Sequence, residues 1–171
     1  MNNLDALDIA IADLLVEDGR MPCAEISRRV SAALGRPVSE RAVRYRLERL
    51  IQRGVMRVVG ILSPRVLGYP VAADVMIEVE PGRVSEVARQ IATYDCITYV
   101  AGSTGERDLS IQVVARDNTE LFNFVSNVIG QVPGVRKTTT FLVPVILKDV
   151  YEWRVPRDCG GSALSDTDEL E

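Results

Sequence analysis

Residues 39–50, SERAVRYRLERL, decide the first part of the fold because this stretch combines a helix cap with a helical period. Ser39 is a residue type favoured at the N-cap of a helix. Apolar residues follow at helical spacing: Val43, Leu47, Leu50 and Ile51. Four arginines lie among them: Arg41, Arg44, Arg46 and Arg49. The stretch therefore predicts an amphipathic helix with one buried face and an arginine-rich outer surface.

Two similar helices are predicted upstream. Their apolar faces consist of Leu7, Ile11, Leu14 and Leu15, and of Ile26, Val30, Ala33 and Leu34. Gly19, Gly35 and Gly54 are expected to end the three helices. Because each helix has a single apolar stripe, the stripes must be buried against one another. Residues 1–54 are thus predicted to form a trihelical helix-turn-helix domain.

The period changes after residue 54. Residues 55–69 begin with a β-branched run, which predicts a strand followed by a linker. Residues 70–148 alternate strand-like and helix-like patterns in the order β-α-β-β-α-β, with a final strand over 135–147. This order predicts a ferredoxin-like domain, an antiparallel sheet with two helices on one face, so the fold class is α+β. Residues 149–171 lack periodicity and are expected to form a flexible acidic tail.

The charge is concentrated in two places. The whole chain has a net charge of -4, but residues 36–65 contain eight arginines against Glu40 and Glu48, a net charge of +6. Residues 158–171 contain five acidic residues and no basic ones, a net charge of -5. A local basic patch in an acidic chain indicates a polyanionic partner for that patch.

The last helix of a helix-turn-helix lies in the major groove of DNA, and its first residues meet the base edges. Arginine suits this position because it can donate two hydrogen bonds to guanine or neutralise a phosphate. The predicted groove and rim residues are Glu40, Arg41, Arg44 and Tyr45, and Ser39 is expected at the cap and as a candidate phosphate contact. Arg49 is predicted on a second outward row shared with Arg46 and Arg53. Phosphate contacts are expected from Arg28, Arg29 and Arg36. A solvated arginine face paired with Glu40 and Glu48 is the alternative interpretation.

Several classes of protein are disfavoured. The chain has no histidine, which removes the commonest general acid-base residue and the commonest metal ligand. Its three cysteines are far apart, so free thiols are expected rather than disulfides. No apolar run approaches the length of a membrane span, and a cytoplasmic, non-enzymatic protein without metal or cofactor is expected.

Several separated motifs resemble the Lrp/AsnC, or feast/famine, family of prokaryotic transcription regulators. They are LDALDIAIADLLVEDGR, AEISRRV, SERAVRYRLERLIQRGVM, LGYP, GERDLSIQV and PGVRKTTTFLV, and together they cover about residues 4–147. The resemblance implies a regulator that binds double-stranded DNA and forms homodimers, which often assemble into octamers. It also implies an effector, usually an amino acid or a related metabolite, bound between dimers. Carried over by motif, the effector site comprises Gly102, Thr104, Gly105, Asp108, Thr138 and Thr140.

Tight turns and strands also use glycine and threonine for structural reasons alone. The sequence departs from the family pattern at Arg107, where an aromatic residue usually precedes the hairpin aspartate. This difference disfavours a branched-chain amino acid effector and favours an anionic group. The stretch SAALGRPVSE, residues 31–40, is longer than the usual turn before the third helix. Two other functions remain open: an enzyme like the sirohaem decarboxylases, which resemble the family in fold but use histidine, and a sensor or scaffold that does not bind DNA.

Overall fold

Three helices form the N-terminal part of the protein in a computed structural model that describes residues 4–156. They are α1 (Ala6–Glu17), α2 (Cys23–Leu34) and α3 (Glu40–Gln52). Asp5 caps α1 by accepting a hydrogen bond from the backbone N–H of Asp8, and Ser39 caps α3 by accepting one from Ala42. These caps satisfy N–H groups that have no partner within the helix. The predicted helices and the predicted cap at Ser39 are confirmed.

The three helices bury a common apolar core, as their stripes predicted. Its members are Leu7, Ile11, Leu15, Ile26, Val30, Val38, Val43 and Leu50. Ala33 and Ile51 were predicted to belong to this core, but Ala33 is exposed and Ile51 is 44% exposed. Leu50 already fills the position at the end of α3, so the neighbouring residue turns toward solvent.

The strand predicted at the start of residues 55–69 does not form in this chain. Val55 and Met56 pack partly against the helical core, but most of the later apolar side chains are exposed, including Val59 at 57% and Leu62 at 75%. A strand requires a second strand to satisfy its backbone hydrogen bonds, and this segment has none within the described residues. The prediction of a strand from the β-branched pattern is therefore wrong.

The second part of the chain is a four-stranded antiparallel sheet with two helices. The elements are β1 (Val71–Val79), α4 (Val84–Ile91), β2 (Ile97–Gly102), β3 (Leu109–Ala115), α5 (Asn118–Asn127) and β4 (Val135–Leu142). The strand order is β2-β3-β1-β4, and every neighbouring pair is antiparallel. This is the predicted ferredoxin-like arrangement.

One face of the sheet is covered by both helices. Val75 and Ile77 of β1 are fully buried there, together with Val87 of α4 and Val125 of α5. The opposite face contains the alternate residues of each strand. Tyr99 and Phe141 belong to that opposite face and are 49% and 54% exposed.

The last predicted strand is shorter than expected. Residues 135–147 were predicted, but β4 ends at Leu142. The Val143 N–H still donates to the carbonyl of Ala72, whereas Pro144 has no N–H to continue the ladder.

The chain divides into two compact units. One comprises residues up to Gly60 together with the described residues from Lys148 onward, and the other comprises Ile61–Leu147. Part of the predicted flexible tail is structured, because Val150–Glu152 form a short 3-10 helix capped by Asp149. The rest of the predicted tail, from residue 157, lies outside the described residues. None of the helices in residues 4–156 is long and apolar enough to cross a membrane.

Candidate nucleic-acid interface and effector site

Most of the polar side chains of α3 lie on one exposed face of the helix. This face contains Arg41, Arg44, Tyr45, Glu48 and Gln52. These residues recur at intervals of three and four, so they line up on one side of the helix. Val43 and Leu50 are buried on the other side, which fixes the helix by its apolar face and leaves the polar face outward.

The two arginines nearest the start of α3 have different environments. A guanidinium nitrogen of Arg44 lies 2.6 Å from a carboxylate oxygen of Glu40, and both side chains are exposed. Arg41 makes no hydrogen bond or ion pair with any other residue in the range 4–156. An exposed pair four residues apart on a helix contributes only about 0.3–0.5 kcal/mol, so it can be exchanged for another anion at little cost. Both guanidinium groups are therefore available to a phosphate or a base edge.

Two serines of α2 fix the turn that leads into α3. The Ser27 hydroxyl donates to the carbonyl of Val38 over 2.6 Å, and the Ser31 hydroxyl accepts from the Val38 N–H over 2.9 Å. Val38 itself is buried in the core. The connection that looked long in the sequence covers only residues 35–39, because Ser31–Leu34 still belong to α2. Neither serine was predicted from the sequence to have this role, although their spacing of four residues on one helix was a usable signal.

Arg46 was predicted to lie on an outward row with Arg49 and Arg53. This prediction is wrong, because the Arg46 guanidinium pairs with two carboxylates of the same unit. Its guanidinium lies 2.7 Å from Asp5 and 3.0 Å from Asp8, and Asp8 is only 2% exposed. The hydrogen bond from the Asp8 N–H, followed by that from Arg46, lowers the pKa of the Asp5 carboxyl. The carboxylates in turn raise the pKa of Arg46. This cluster joins the start of α1 to the middle of α3.

The remaining residues predicted to contact DNA fall into two groups. Arg28 pairs with Glu25 at 2.5 Å, and Arg29 pairs with Glu17 at 3.0 Å. Arg36 and Arg49 have no ion-pair or hydrogen-bond partner for their side chains within residues 4–156. Their guanidinium groups are thus uncompensated positive charges around α3.

The predicted effector residues lie mainly at one end of the sheet, at the hairpin between β2 and β3. Gly102 pairs with Leu109 at the base of this hairpin, and Thr104 and Gly105 lie exposed in its loop. Gly105 has a φ of +131°, a backbone conformation that favours glycine. Gly105 is thus explained by the turn itself.

Asp108 organises this hairpin. Its carboxylate accepts a hydrogen bond from the Val79 N–H over 2.8 Å, and its own N–H donates to the Ile77 carbonyl. Thr138 pairs with Ile77 from the other side of β1, whereas Thr140 pairs with Val75 two residues farther along. The structure therefore places Asp108 and Thr138 on either side of Ile77. Thr140 lies two residues farther along β4, opposite Val75. One oxygen of Asp108 is already engaged in positioning the loop.

Arg107 is also engaged. Its guanidinium pairs with Glu78, whose carboxylate lies 3.8 Å from the ammonium nitrogen of Lys137. Two cations thus share one anion on the sheet face opposite the helices. The sequence did not indicate that Glu78 would partly neutralise the charges of Arg107 and Lys137, because the register between strands decides which side chains lie next to one another.

Two family models match the chain. An AsnC-type helix-turn-helix domain matches residues 4–51, and an Lrp/AsnC ligand binding domain matches residues 72–152. An uncharacterised HTH-type transcriptional regulator of Pyrococcus abyssi is 37% identical over 155 residues, covering 90% of this chain and 92% of that protein. The HTH-type transcriptional regulator FL11 of Pyrococcus furiosus is 32% identical over 150 residues, covering 87% of this chain and 95% of the relative.

Solved structures share the fold. E. coli AsnC matches with a TM-score of 0.75 at 24% identity, over 86% of this chain and 98% of AsnC. A Neisseria meningitidis transcriptional regulator in complex with L-Met matches with a TM-score of 0.77 at 24% identity, over 86% and 94% of the two chains. Together with the relatives, these matches favour a regulator over the decarboxylase-like alternative.

Within residues 4–156, no cluster of three or more Cys, Asp or Glu side chains could hold a metal ion.

Proposed function

Because this chain belongs to the Lrp/AsnC family of helix-turn-helix transcription regulators, we propose that it binds operator DNA by placing α3 in the major groove. The observation that carries this proposal is the outward face of α3, where Arg41 has no partner within the described residues and Arg44 has only an exposed one. Residues 1–54 would act as the DNA-binding part, and residues 70–148 as the sensing part.

Arg41 and Arg44 are proposed to contact base edges, with Tyr45 beside them. Bidentate hydrogen bonding to guanine is the commonest specific contact of arginine and contributes about 1–3 kcal/mol of discrimination. Ser39 and Glu40 lie at the end of α3 that enters the groove, where the exposed helix N-terminus favours a phosphate. Glu40 would release Arg44 as DNA replaces the carboxylate.

Arg28, Arg29, Arg36 and Arg49 are proposed to contact phosphates. Each contact releases counterions from the DNA, so binding weakens as salt concentration rises. Arg28 and Arg29 would exchange their glutamate partners for phosphate oxygens. Such contacts orient the protein on the duplex and carry no base information themselves.

The test is a titration of the full chain on duplex DNA from its own promoter region and on a random duplex of equal length, at several salt concentrations. Arg41→Ala should reduce the preference for the promoter duplex by about tenfold, as expected for the loss of one base contact. Arg89→Ala is the matched control, because Arg89 is an exposed arginine of α4 and its loss changes the net charge equally. If both variants keep the wild-type preference, Arg41 does not contact bases.

We also propose that the ferredoxin-like part binds an amino acid or a related metabolite at the hairpin of β2 and β3. The match to a ligand binding domain and the L-Met complex of the Neisseria regulator support this class of effector. Gly102, Thr104, Gly105, Thr138 and Thr140 are the proposed contacts, with Asp108 holding the loop. An effector carboxylate would compete with Glu78 for Arg107.

A thermal-shift screen of the amino acids tests the effector proposal. A ligand that binds only the folded state raises stability by about 2.7 kcal/mol at a concentration of 100 Kd, so the melting temperature should rise measurably. Arg107→Leu should abolish the shift if the ligand carboxylate contacts this guanidinium. No shift with any amino acid at millimolar concentration would contradict the proposed class.

The sheet face opposite the helices is proposed to form a homodimer, and dimers would assemble further. Tyr99 and Phe141 are half exposed on that face, and an aromatic surface of this kind is typical of the centre of a protein interface. The segment of residues 55–69, which pairs with no strand among the described residues, would also gain a backbone partner from a second copy.

A further inference from the structure

The chain returns to the helix-turn-helix unit after the sheet. Residues from Lys148 onward belong to the same compact unit as α1–α3, and the 3-10 helix Val150–Glu152 contacts α1. Near the end of α1, the pKa of Glu17 is lowered chiefly by Arg29 and further by the charge of Arg154. The last residues that the structure describes are therefore held beside the helices that carry the DNA-binding surface.

Residues 157–171 continue from this point with the sequence RDCGGSALSDTDELE. Five carboxylates follow Arg157, and four of them fall within six residues: Asp166, Asp168, Glu169 and Glu171. A chain spans at most about 3.3–3.6 Å per residue, so fifteen residues reach roughly 50 Å. Helix α3, with 13 residues, is only about 20 Å long. The four clustered acidic residues lie ten to fifteen residues beyond Pro156, so they can extend about 30–50 Å from it, farther than the length of α3.

The complementary surface consists of Arg41, Arg44 and Arg49 of α3 together with Arg36 just before the helix, and we call it the arginine face of α3. Arg46 is neutralised by Asp5 and Asp8, but Arg36, Arg41 and Arg49 have no ion-pair partner within residues 4–156. A carboxylate offers the same chemistry to these arginines as a phosphate, namely a negative charge and two acceptor oxygens. A tethered segment is present at an effective concentration in the millimolar range, so even weak pairing becomes substantial.

We propose that residues 158–171 dock on the arginine face of α3 and compete there with DNA. This inference rests on the proposed DNA-binding function of that face. Non-specific binding depends almost wholly on phosphate charge, whereas operator binding adds base contacts. The acidic segment therefore suppresses non-specific binding more than operator binding and increases the selectivity of the regulator.

The first test compares the full-length wild type with a neutralised variant carrying Asp158→Asn, Asp166→Asn, Asp168→Asn, Glu169→Gln and Glu171→Gln. The Kd for a random duplex, measured by fluorescence anisotropy at 50 mM salt, should fall about tenfold in the variant. The difference should shrink as salt rises to 300 mM, because screening weakens both competing interactions. Binding of a promoter duplex should change by a smaller factor.

A matched control separates docking from a general change in net charge. Asp166→Asn with Asp168→Asn removes the same charge as Asp95→Asn with Glu106→Gln, two exposed residues of the sheet unit. Only the first pair should strengthen binding to the random duplex. Equal strengthening by both pairs would overturn docking in favour of net charge.

A second test does not depend on DNA binding. With Cys23→Ser and Cys96→Ser, Cys159 is the only thiol in the chain and can carry a maleimide-benzophenone photocrosslinker. Crosslinks should map to the peptides of α3 and disappear in 1 M salt, whereas crosslinks that avoid α3 would overturn the docking. If the wild type and the neutralised variant bind DNA equally well, the acidic segment does not compete with DNA, although the crosslinks can still show that it docks on α3. If neither binds any duplex, the proposed function fails and the competition fails with it.

Discussion

The environment of each arginine, rather than the presence of arginine, distinguishes the side chains of α3 that are available to a ligand from the one that stabilises the fold. Arg41, Arg44 and Arg46 lie within six residues, yet Arg41 has no partner in the described chain, Arg44 has an exposed one, and Arg46 pairs with the buried Asp8. A buried carboxylate without its cation destabilises the folded state, so Arg46 contributes to the stability of the fold. The first two remain available for a ligand.

Removing Arg46 should destabilise the helix-turn-helix unit. Arg46→Ala leaves the carboxylate of Asp8 buried without its cation, and we expect a loss of about 2–3 kcal/mol in the free energy of unfolding. Urea unfolding followed by circular dichroism measures this loss. Arg49→Ala is the control, because that side chain has no ion-pair partner within residues 4–156, and it should change stability by less than about 0.5 kcal/mol. Equal effects of the two substitutions would contradict the structural role of Arg46.

The same cluster should make stability depend on pH. The folded state holds the pKa of Asp5 below its ordinary value of 3.8, chiefly through the Asp8 N–H and then through Arg46. The unfolded chain therefore binds the proton more readily, so this contribution is present above pH 3.8 and is lost as pH falls through the folded pKa. The stability difference between wild type and Asp5→Asn should be constant near pH 6 and shrink below about pH 4. A difference that does not change with pH would contradict this assignment.

At the scale of elements, the connection between α2 and α3 determines how the arginine face is presented. Ser27 and Ser31 bind both backbone groups of Val38, and Val38 is inserted in the core. The turn is thus fixed at one point by two hydrogen bonds and one apolar contact. Such a turn holds α3 at a defined angle to α2, which a groove-binding helix requires.

Ser31→Ala should loosen this turn. The Val38 N–H would lose its acceptor in a partly buried position, and we expect a loss of about 1–2 kcal/mol in unfolding free energy. Ser85→Ala in α4 is the control, because Ser85 is an exposed helical serine. The variant should also lose part of its preference for promoter over random duplex in the DNA titration. Wild-type stability in Ser31→Ala would show that the turn does not depend on this hydrogen bond.

At the scale of the whole molecule, each of the two compact units leaves apolar side chains exposed. The segment before the sheet exposes Val59 and Leu62, and the sheet face opposite the helices exposes Tyr99 and Phe141. Large exposed apolar areas mark interaction sites in soluble proteins. These surfaces are consistent with the proposed assembly of several copies.

Disrupting the sheet face should dissociate the proposed dimer. Phe141→Glu introduces a charge on that face, and we expect sedimentation velocity to detect a smaller species at micromolar concentration. Phe122→Glu is the matched control, because Phe122 is 67% exposed on α5, outside the sheet face. If Phe141→Glu sediments like wild type, the dimer forms through another surface.

Much of the fold could be predicted from the sequence, because period and turn residues act locally. The stripes of α1–α3, the cap at Ser39 and the β-α-β-β-α-β order all follow from residues close together in the chain. Helix α3 and the hairpin at Gly105 could be located for the same reason. The prediction of a strand after residue 54 was wrong. A strand needs a second strand as its hydrogen-bonding partner, and a local sequence pattern does not show whether one is present.

The sequence by itself determined the two parts of this protein, the arginine helix and the acidic segment, since these depend on composition and spacing. Only the tertiary structure decided which side chains are already engaged. Arg46 meets Asp8 across 38 residues of sequence, and Asp108 meets Val79 across 29. Arg107 meets Glu78 through strand register. Such contacts depend on how distant elements pack, and that packing separates the arginines available to DNA from those that hold the fold.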